Sequence, residues 1–161
     1  MHRISVERIS AKDNDAAELI EKLNEFLYEA YKHYLDEPEY DMEDYLDDAE
    51  ELSKSNVIFL GARNGANDLV GIGAIKNLDG YSELKRIYVE PWYRGEGVAD
   101  LILKNLEQHS EHDIIRLETG TEQPAAVKFF WQYGYEKRSP YGNYPDHPAS
   151  IFMEKILTKE K

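Results

Sequence analysis

A chain of 161 residues with 42% hydrophobic and 32% charged side chains is long enough for one domain with a real core and too apolar to be disordered. It holds no cysteine, which excludes disulfides and thiolate chemistry and fits a reducing compartment. A formal charge of −13 excludes general nucleic-acid binding, because the field of the chain repels phosphate.

The charge is uneven: residues 1–55 carry 17 acidic and 6 basic side chains, a net −11. A phosphate-bearing ligand must therefore be held by local features, and Arg86, Arg94 and Lys104 are the suitable cations. The N-terminal MHRISVERIS has no apolar leader and no run approaches membrane-spanning length. A single cytoplasmic domain, residues 1–161, with no membrane contact is expected.

Residues 3–9 alternate weakly, as a first strand does. Asp13 or Asn14 is placed to cap a helix with the stripe Leu19, Ile20, Leu23, Phe26, Leu27, Ala30, Tyr31 and Tyr34, which Pro38 breaks. The spacing predicts a second helix from about Asp41, with Met42, Tyr45, Leu46, Ala49 and Leu52 on its buried face. Seven acids and no base lie between 41 and 51. They form either a solvated face or a lure for a cationic acceptor. Three strands follow at 56–63, 69–76 and 84–89, with turns at Asn64-Gly65 and Asp79-Gly80.

Pro91 ends the last of these because it brings no N–H. Arg94, Gly95, Glu96, Gly97, Val98 and Ala99 come next, and then Leu101, Ile102, Leu103 and Leu106 at helical spacing. A glycine-rich loop thus delivers the chain into a helix N-terminus, where unpaired N–H groups and the positive end of the dipole hold an anion, phosphate above all. A strand at 113–119, a helix at 123–133, a strand beginning at 135–137 and a final strand at Ser150–Ile156 complete the order, with a loop rich in Pro, Gly and Tyr before the last. The fold class is α/β (α+β), a central mixed sheet of six or seven strands flanked by about four helices, antiparallel early and parallel around the 97–109 crossover.

Arg94-x-x-Gly97-x-Ala99 resembles the Arg/Gln-x-x-Gly-x-Gly/Ala motif of the GCN5-related N-acetyltransferases, the GNAT superfamily. The Val89-x-Pro91 turn, the segment AAVKFFWQYGYEK and the order of elements over essentially the whole chain are similar to that family as well. The tail also resembles a bacterial subgroup marked by Glu-Thr-Gly, Gln-Pro and Pro-aromatic-Gly-x-Tyr. The resemblance implies acetyl-CoA as donor and an amine as acceptor. It implies that the pyrophosphate rests on the backbone of Gly95, Glu96, Gly97, Val98 and Ala99 beside Arg94. The main chain of Ile87, Tyr88 and Val89 would meet the pantetheine, and Gln123 the CoA arm.

Glu83 lies eleven residues before Arg94, the spacing at which one branch of the family places its catalytic glutamate, and Glu118 on the adjacent strand is its rival. The tyrosine many relatives keep as acid falls on Phe130, which has no proton to give. Tyr133, Tyr141 or Tyr144 would substitute, with Tyr144 first because its loop can carry it over a thioester. Two competing readings stand beside a small-molecule or peptide N-acetyltransferase. One is a non-catalytic acyl-CoA-binding module, and the other an acetyltransferase of protein lysines or N-termini. Many relatives pair as homodimers, and the tyrosine-rich tail suits a dimer surface or an acceptor pocket equally. No metal is expected, since His109, Glu111 and His112 lack a further ligand at suitable spacing. Asp146, His147 and Ser150 come without a nucleophile elbow, and Gly71-Ile-Gly73 lies within a strand, so neither a hydrolase triad nor a dinucleotide fingerprint is read there.

Overall fold

The computed structural model describes residues 3–157. β1 (Ser5–Arg8) leads into α1 (Asn14–Tyr31), and a short α2 (Ala49–Leu52) precedes β2 (Val57–Arg63), β3 (Leu69–Asn77) and β4 (Ser82–Val89). After a single turn at Pro91–Tyr93 come α3 (Val98–Gln108), β5 (Ile114–Gly120), α4 (Pro124–Gln132), β6 (Glu136–Arg138) and β7 (Ser150–Ile156). The seven strands form one mixed sheet in the order β1-β2-β3-β4-β5-β7-β6. Its one parallel junction is β4 with β5, spanned by the α3 crossover. Among the described residues no helix is long and apolar enough to cross a membrane.

Two apolar layers sandwich the sheet. Ala16, Leu19 and Ile20 of α1 pack with Leu52, Phe59 and Ile72 on one face. On the other, Val98, Ile102, Leu103 and Leu106 of α3 pack with Leu60, Val70, Ile75, Leu84 and Leu117, and Phe130 of α4 joins them. Gly71 and Gly73 let α3 approach β3 closely. A Cβ on Gly73 would stand 2.8 Å from Ile102 Cγ2 and 3.0 Å from Leu106 Cδ1. Gly73→Ala is therefore expected to destabilise the fold by about 1–3 kcal/mol through overpacking, read as a lower midpoint in urea at an unchanged slope.

Three expectations are corrected. The stretch from Asp41 is not one helix: a single 3-10 turn, Met42–Asp44, and the four-residue α2 are separated by irregular chain. Asp41 and Asp48 each turn a side-chain oxygen back onto a backbone N–H, of Glu43 and Glu51, and so restart the chain twice. The acid-rich composition, with no base between, adds repulsion that a longer helix would concentrate. Phe26 lies on the outer side of the α1 stripe and is exposed. β5 runs one residue past the expected end at 119, to Gly120, where a Cβ would collide with the Tyr31 hydroxyl.

Candidate active site

β4 and β5 share only three rungs, Ser82↔Ile115, Glu83↔Arg116 and Leu84↔Leu117. Beyond Leu84 the strands part: β4 runs on to Val89 beside β3, while β5 stays with β7 as far as Gly120↔Ser150. A bulge in β4 sharpens the divergence. Ile72 faces Tyr88 and Ala74 faces Lys85, so Arg86 and Ile87 together oppose Gly73. Arg86 takes the extra place with φ +60°, an uncommon conformation for a residue with a side chain. The wedge holds a cavity of about 120 Å³. Arg86 and Ile87 line it from β4, Glu118 from β5, Tyr31 from α1 and Gln123 from the start of α4.

The glycine loop lies at the same end of β4. Gly95 and Gly97 have φ of +80° and +84°, with nothing within 4 Å of where a Cβ would sit. Gly97 immediately precedes α3, and no side chain caps that helix. The N–H groups of its first turn therefore lack helical partners. Arg94 secures the loop: its Nε donates to the Val89 carbonyl at 2.9 Å, and its guanidinium lies 5.4 Å from the Tyr88 ring centroid. Val98 and Ala99 turn their side chains into the core around α3, which leaves their main chain at the helix start.

Glu83 and Tyr144 are brought together, but away from the cavity wall. The Tyr141 and Tyr144 hydroxyls donate to Glu83 Oε2 at 2.6 and 2.7 Å. Lys85 Nζ donates to the Tyr144 oxygen at 2.7 Å and pairs with Asp47 at 3.4 Å. Burial drives the Tyr141 and Tyr144 hydroxyls well above their usual range, and the Glu83 charge pushes the same way. Glu118 opens on the cavity and accepts from Ser150 Oγ at 2.7 Å. Burial pushes its carboxyl up to about 7; the Ser150 hydroxyl and Lys85 oppose this and Glu83 reinforces it.

The remaining expected residues have other partners. Gln123 Oε1 accepts from the Tyr31 hydroxyl at 2.9 Å, and the Tyr31 oxygen in turn accepts from the Glu122 N–H. Tyr133 donates to Asp100 of α3. Phe130 is buried against Tyr135. Arg86, expected beside the glycine loop, instead points into the α1 face, where Nη2 donates to the Ile20 carbonyl and to Asn24. The acids of 41–51 are largely engaged: Asp47 and Glu51 pair with Lys76, and Glu43 accepts from Tyr28. Among the described residues no three His, Asp or Glu side chains group as a metal site. His147 bonds Glu37 and Ser150 bonds Glu118, so the pair does not converge as a hydrolase dyad.

A parallel pair of strands that part over a pocket, with a glycine loop and a helix N-terminus at the open end, defines an acyl-CoA-utilising fold. The comparisons agree. The family model of the acetyltransferase (GNAT) family matches residues 16–135. An IAA acetyltransferase of Azospirillum brasilense is 31% identical over 98% of this chain and 100% of its own. A Klebsiella pneumoniae protein described as an acyl-CoA N-acyltransferase has a crystal structure that superimposes with a TM-score of 0.74 at 30% identity, covering 98% and 99% of the two chains. The PaiA N-acetyltransferase of Thermoplasma acidophilum, solved with coenzyme A, shares the fold at a TM-score of 0.70 and 21% identity, over 96% of this chain and 99% of that one. The chain belongs to the GNAT family of acetyltransferases.

Proposed function

We propose that this acetyltransferase moves an acetyl group from acetyl-CoA directly to a primary amine of a small molecule, with Glu118 as general base. The observation that carries the reading is the wedge itself: one end is a helix start built to hold phosphate, and the other is a pocket with a carboxyl whose pKa is about 7. The residues fit the donor. Gly95 and Gly97 keep the approach to the α3 N-terminus open, with Arg94 fixing the loop and the β4 edge from Ile87 through Tyr88 to Val89 free of β5. When bound, acetyl-CoA supplies the acyl thioester. Glu96 belongs to the same loop, and Gln123 borders the pocket where the CoA arm would enter.

An ordinary primary amine has a pKa of about 10.4, so roughly one molecule in a thousand is nucleophilic at pH 7. A base poised near neutrality removes that proton most effectively. Glu118 meets the requirement and faces the cavity, whereas the Glu83 oxygen already takes two phenolic hydroxyls. We assign Glu83, Tyr141 and Tyr144 to positioning the β4 end of the site. Glu118 takes the ammonium proton, the neutral nitrogen forms a bond to the thioester carbon, the carbon–sulfur bond breaks, and the second nitrogen proton passes to solvent. The departing thiolate, of conjugate-acid pKa about 8.5, leaves without an acid and is protonated by solvent. Phe130 in place of a tyrosine is compatible with that.

The chain lacks cysteine, so a thiol reagent reads only released CoA. Incubation with acetyl-CoA and a panel of small amines is expected to give amine-dependent thiol release and acetylated product by mass. Tight CoA binding with no thiol release for any amine would make the chain a binding module instead. Acetylated lysines or N-termini on an added protein, with the small amines inert, would move the acceptor to proteins.

A further inference from the structure

The mechanism above leaves one buried cation unused. Arg86 is 7% exposed, yet it lines the cavity in the β4–β5 wedge. Only Nη2 has partners, and both are neutral: the Ile20 carbonyl and the Asn24 side chain. Nε and Nη1 have none. Among the described residues no carboxylate lies within ion-pair distance of the guanidinium. Lys85 next to it is already matched by Asp47 and Tyr144. Burial lowers the Arg86 pKa only to about 10, so it stays charged at neutral pH.

An arginine in this state is costly. A buried guanidinium is ordinarily paired, and each unmatched donor loses its hydration without compensation. The chain also places it here by an uncommon device, a bulge with a left-handed arginine, without which alternation would send the side chain to the α3 face. Such unsatisfied groups call for an acceptor that arrives with a ligand. The donor does not provide it: on the proposed reading its diphosphate is held by the α3 N-terminus, beyond Val89 where β4 ends. The acceptor must.

We propose that the acceptor carries a carboxylate near its amine, that Arg86 binds this carboxylate, and that the substrates are amino acids with an apolar or aromatic side chain. The proposal rests on the acetyl-transfer reading and narrows its substrate class. Arg86 and Glu118 sit two residues and one residue, respectively, past the last shared rung of β4 and β5, on the two arms of the wedge. One cation and one anion there match a zwitterion, with its ammonium toward Glu118 and its carboxylate toward Arg86. Lys85 also lines the cavity but is held by Asp47 and Tyr144, and the one unpaired guanidinium suits a monoanionic carboxylate better than a phosphate. Leu23, Leu27, Tyr40, Met42 and Tyr45 supply the apolar and aromatic remainder of the lining.

The test uses matched pairs, phenylalanine with phenethylamine and tryptophan with tryptamine, assayed for CoA release in the parent, Arg86→Gln and Arg86→Lys. The parent is expected to favour the carboxylated member by at least about 10-fold in kcat/KM, as one charge-assisted contact allows. In Arg86→Gln that preference should collapse, and Arg86→Lys should restore part of it. Equal turnover of both members by the parent, or an equal loss on both in Arg86→Gln, overturns the proposal while leaving acetyl transfer standing. If no amine is acetylated, N-acetylphenylalanine titrated into the CoA complex decides. Binding weakened at least about 10-fold in Arg86→Gln keeps the carboxylate site and removes the transfer reading; no binding overturns both.

Discussion

Glu118→Gln is expected to lower kcat by about 10²-fold or more with the KM for acetyl-CoA unchanged, because only the proton transfer in the reacting complex is lost. The parent's kcat/KM should rise with pH through an inflection near 7, the pKa to which burial raises this carboxyl. The variant should lose that inflection. Glu83→Gln is the control: its carboxylate holds two tyrosine hydroxyls and its charge helps raise the Glu118 pKa, so its loss should loosen the site and lower the inflection without abolishing it. An inflection that persists in Glu118→Gln and vanishes in Glu83→Gln would return the role to Glu83.

The same carboxyl links activity to stability. Its pKa in the folded protein is raised above the unfolded value, so the native state binds the proton more tightly than the unfolded chain does. This contribution is therefore neutral below about pH 4.5, and the native state loses stability as pH rises toward 7. Glu118→Gln removes a charge that burial penalises and should raise stability at pH 8 by about 1–3 kcal/mol, with little change at pH 4. A variant that is more stable and far less active is the pattern expected of a strained functional group, and an ordinary solvated glutamate would not give it.

The sheet and the glycine loop ahead of α3 were legible in the residues because local chemistry dictates both. Pro91 ends a ladder in any context, and Gly95 and Gly97 occupy backbone conformations that side chains disfavour. The β4–β5 junction followed from the crossover length that a parallel pair requires. The bulge did not. Strict alternation from Ser82 to Val89 puts Arg86 on the α3 face, and no residue type in the stretch marks the insertion; it is seen only in the register against β3. The surroundings of Glu83 were hidden for a similar reason. Spacing from Arg94 singles out Glu83, but the loop that carries Tyr141 and Tyr144 folds back over it, a contact about sixty residues distant in sequence. The stretch at 41–52 misled because apolar periodicity was read without the two aspartates that interrupt it by bonding their own backbone.

Replacing Gly95 and Gly97 together by Ala is expected to weaken CoA binding by about 30-fold or more while costing the fold little. Each glycine has a positive φ, which an alanine holds at a cost of roughly 1–2 kcal/mol. Nothing packs within 4 Å of either Cβ position, so the loop is free to relax into an unstrained path and the thermal midpoint should fall by no more than about 5 °C. The relaxed path would no longer present the Gly95–Ala99 N–H groups together, as the proposed diphosphate site requires. S-acetylpantetheine, which keeps the thioester arm and lacks the diphosphate, separates this from general damage to the site. Its kcat/KM should be nearly the same in the parent and the double variant, whereas that of acetyl-CoA falls. Equal losses on both donors would mean that the loop shapes the wedge rather than binding the anion, and an unchanged affinity for CoA would place the diphosphate elsewhere on the molecule.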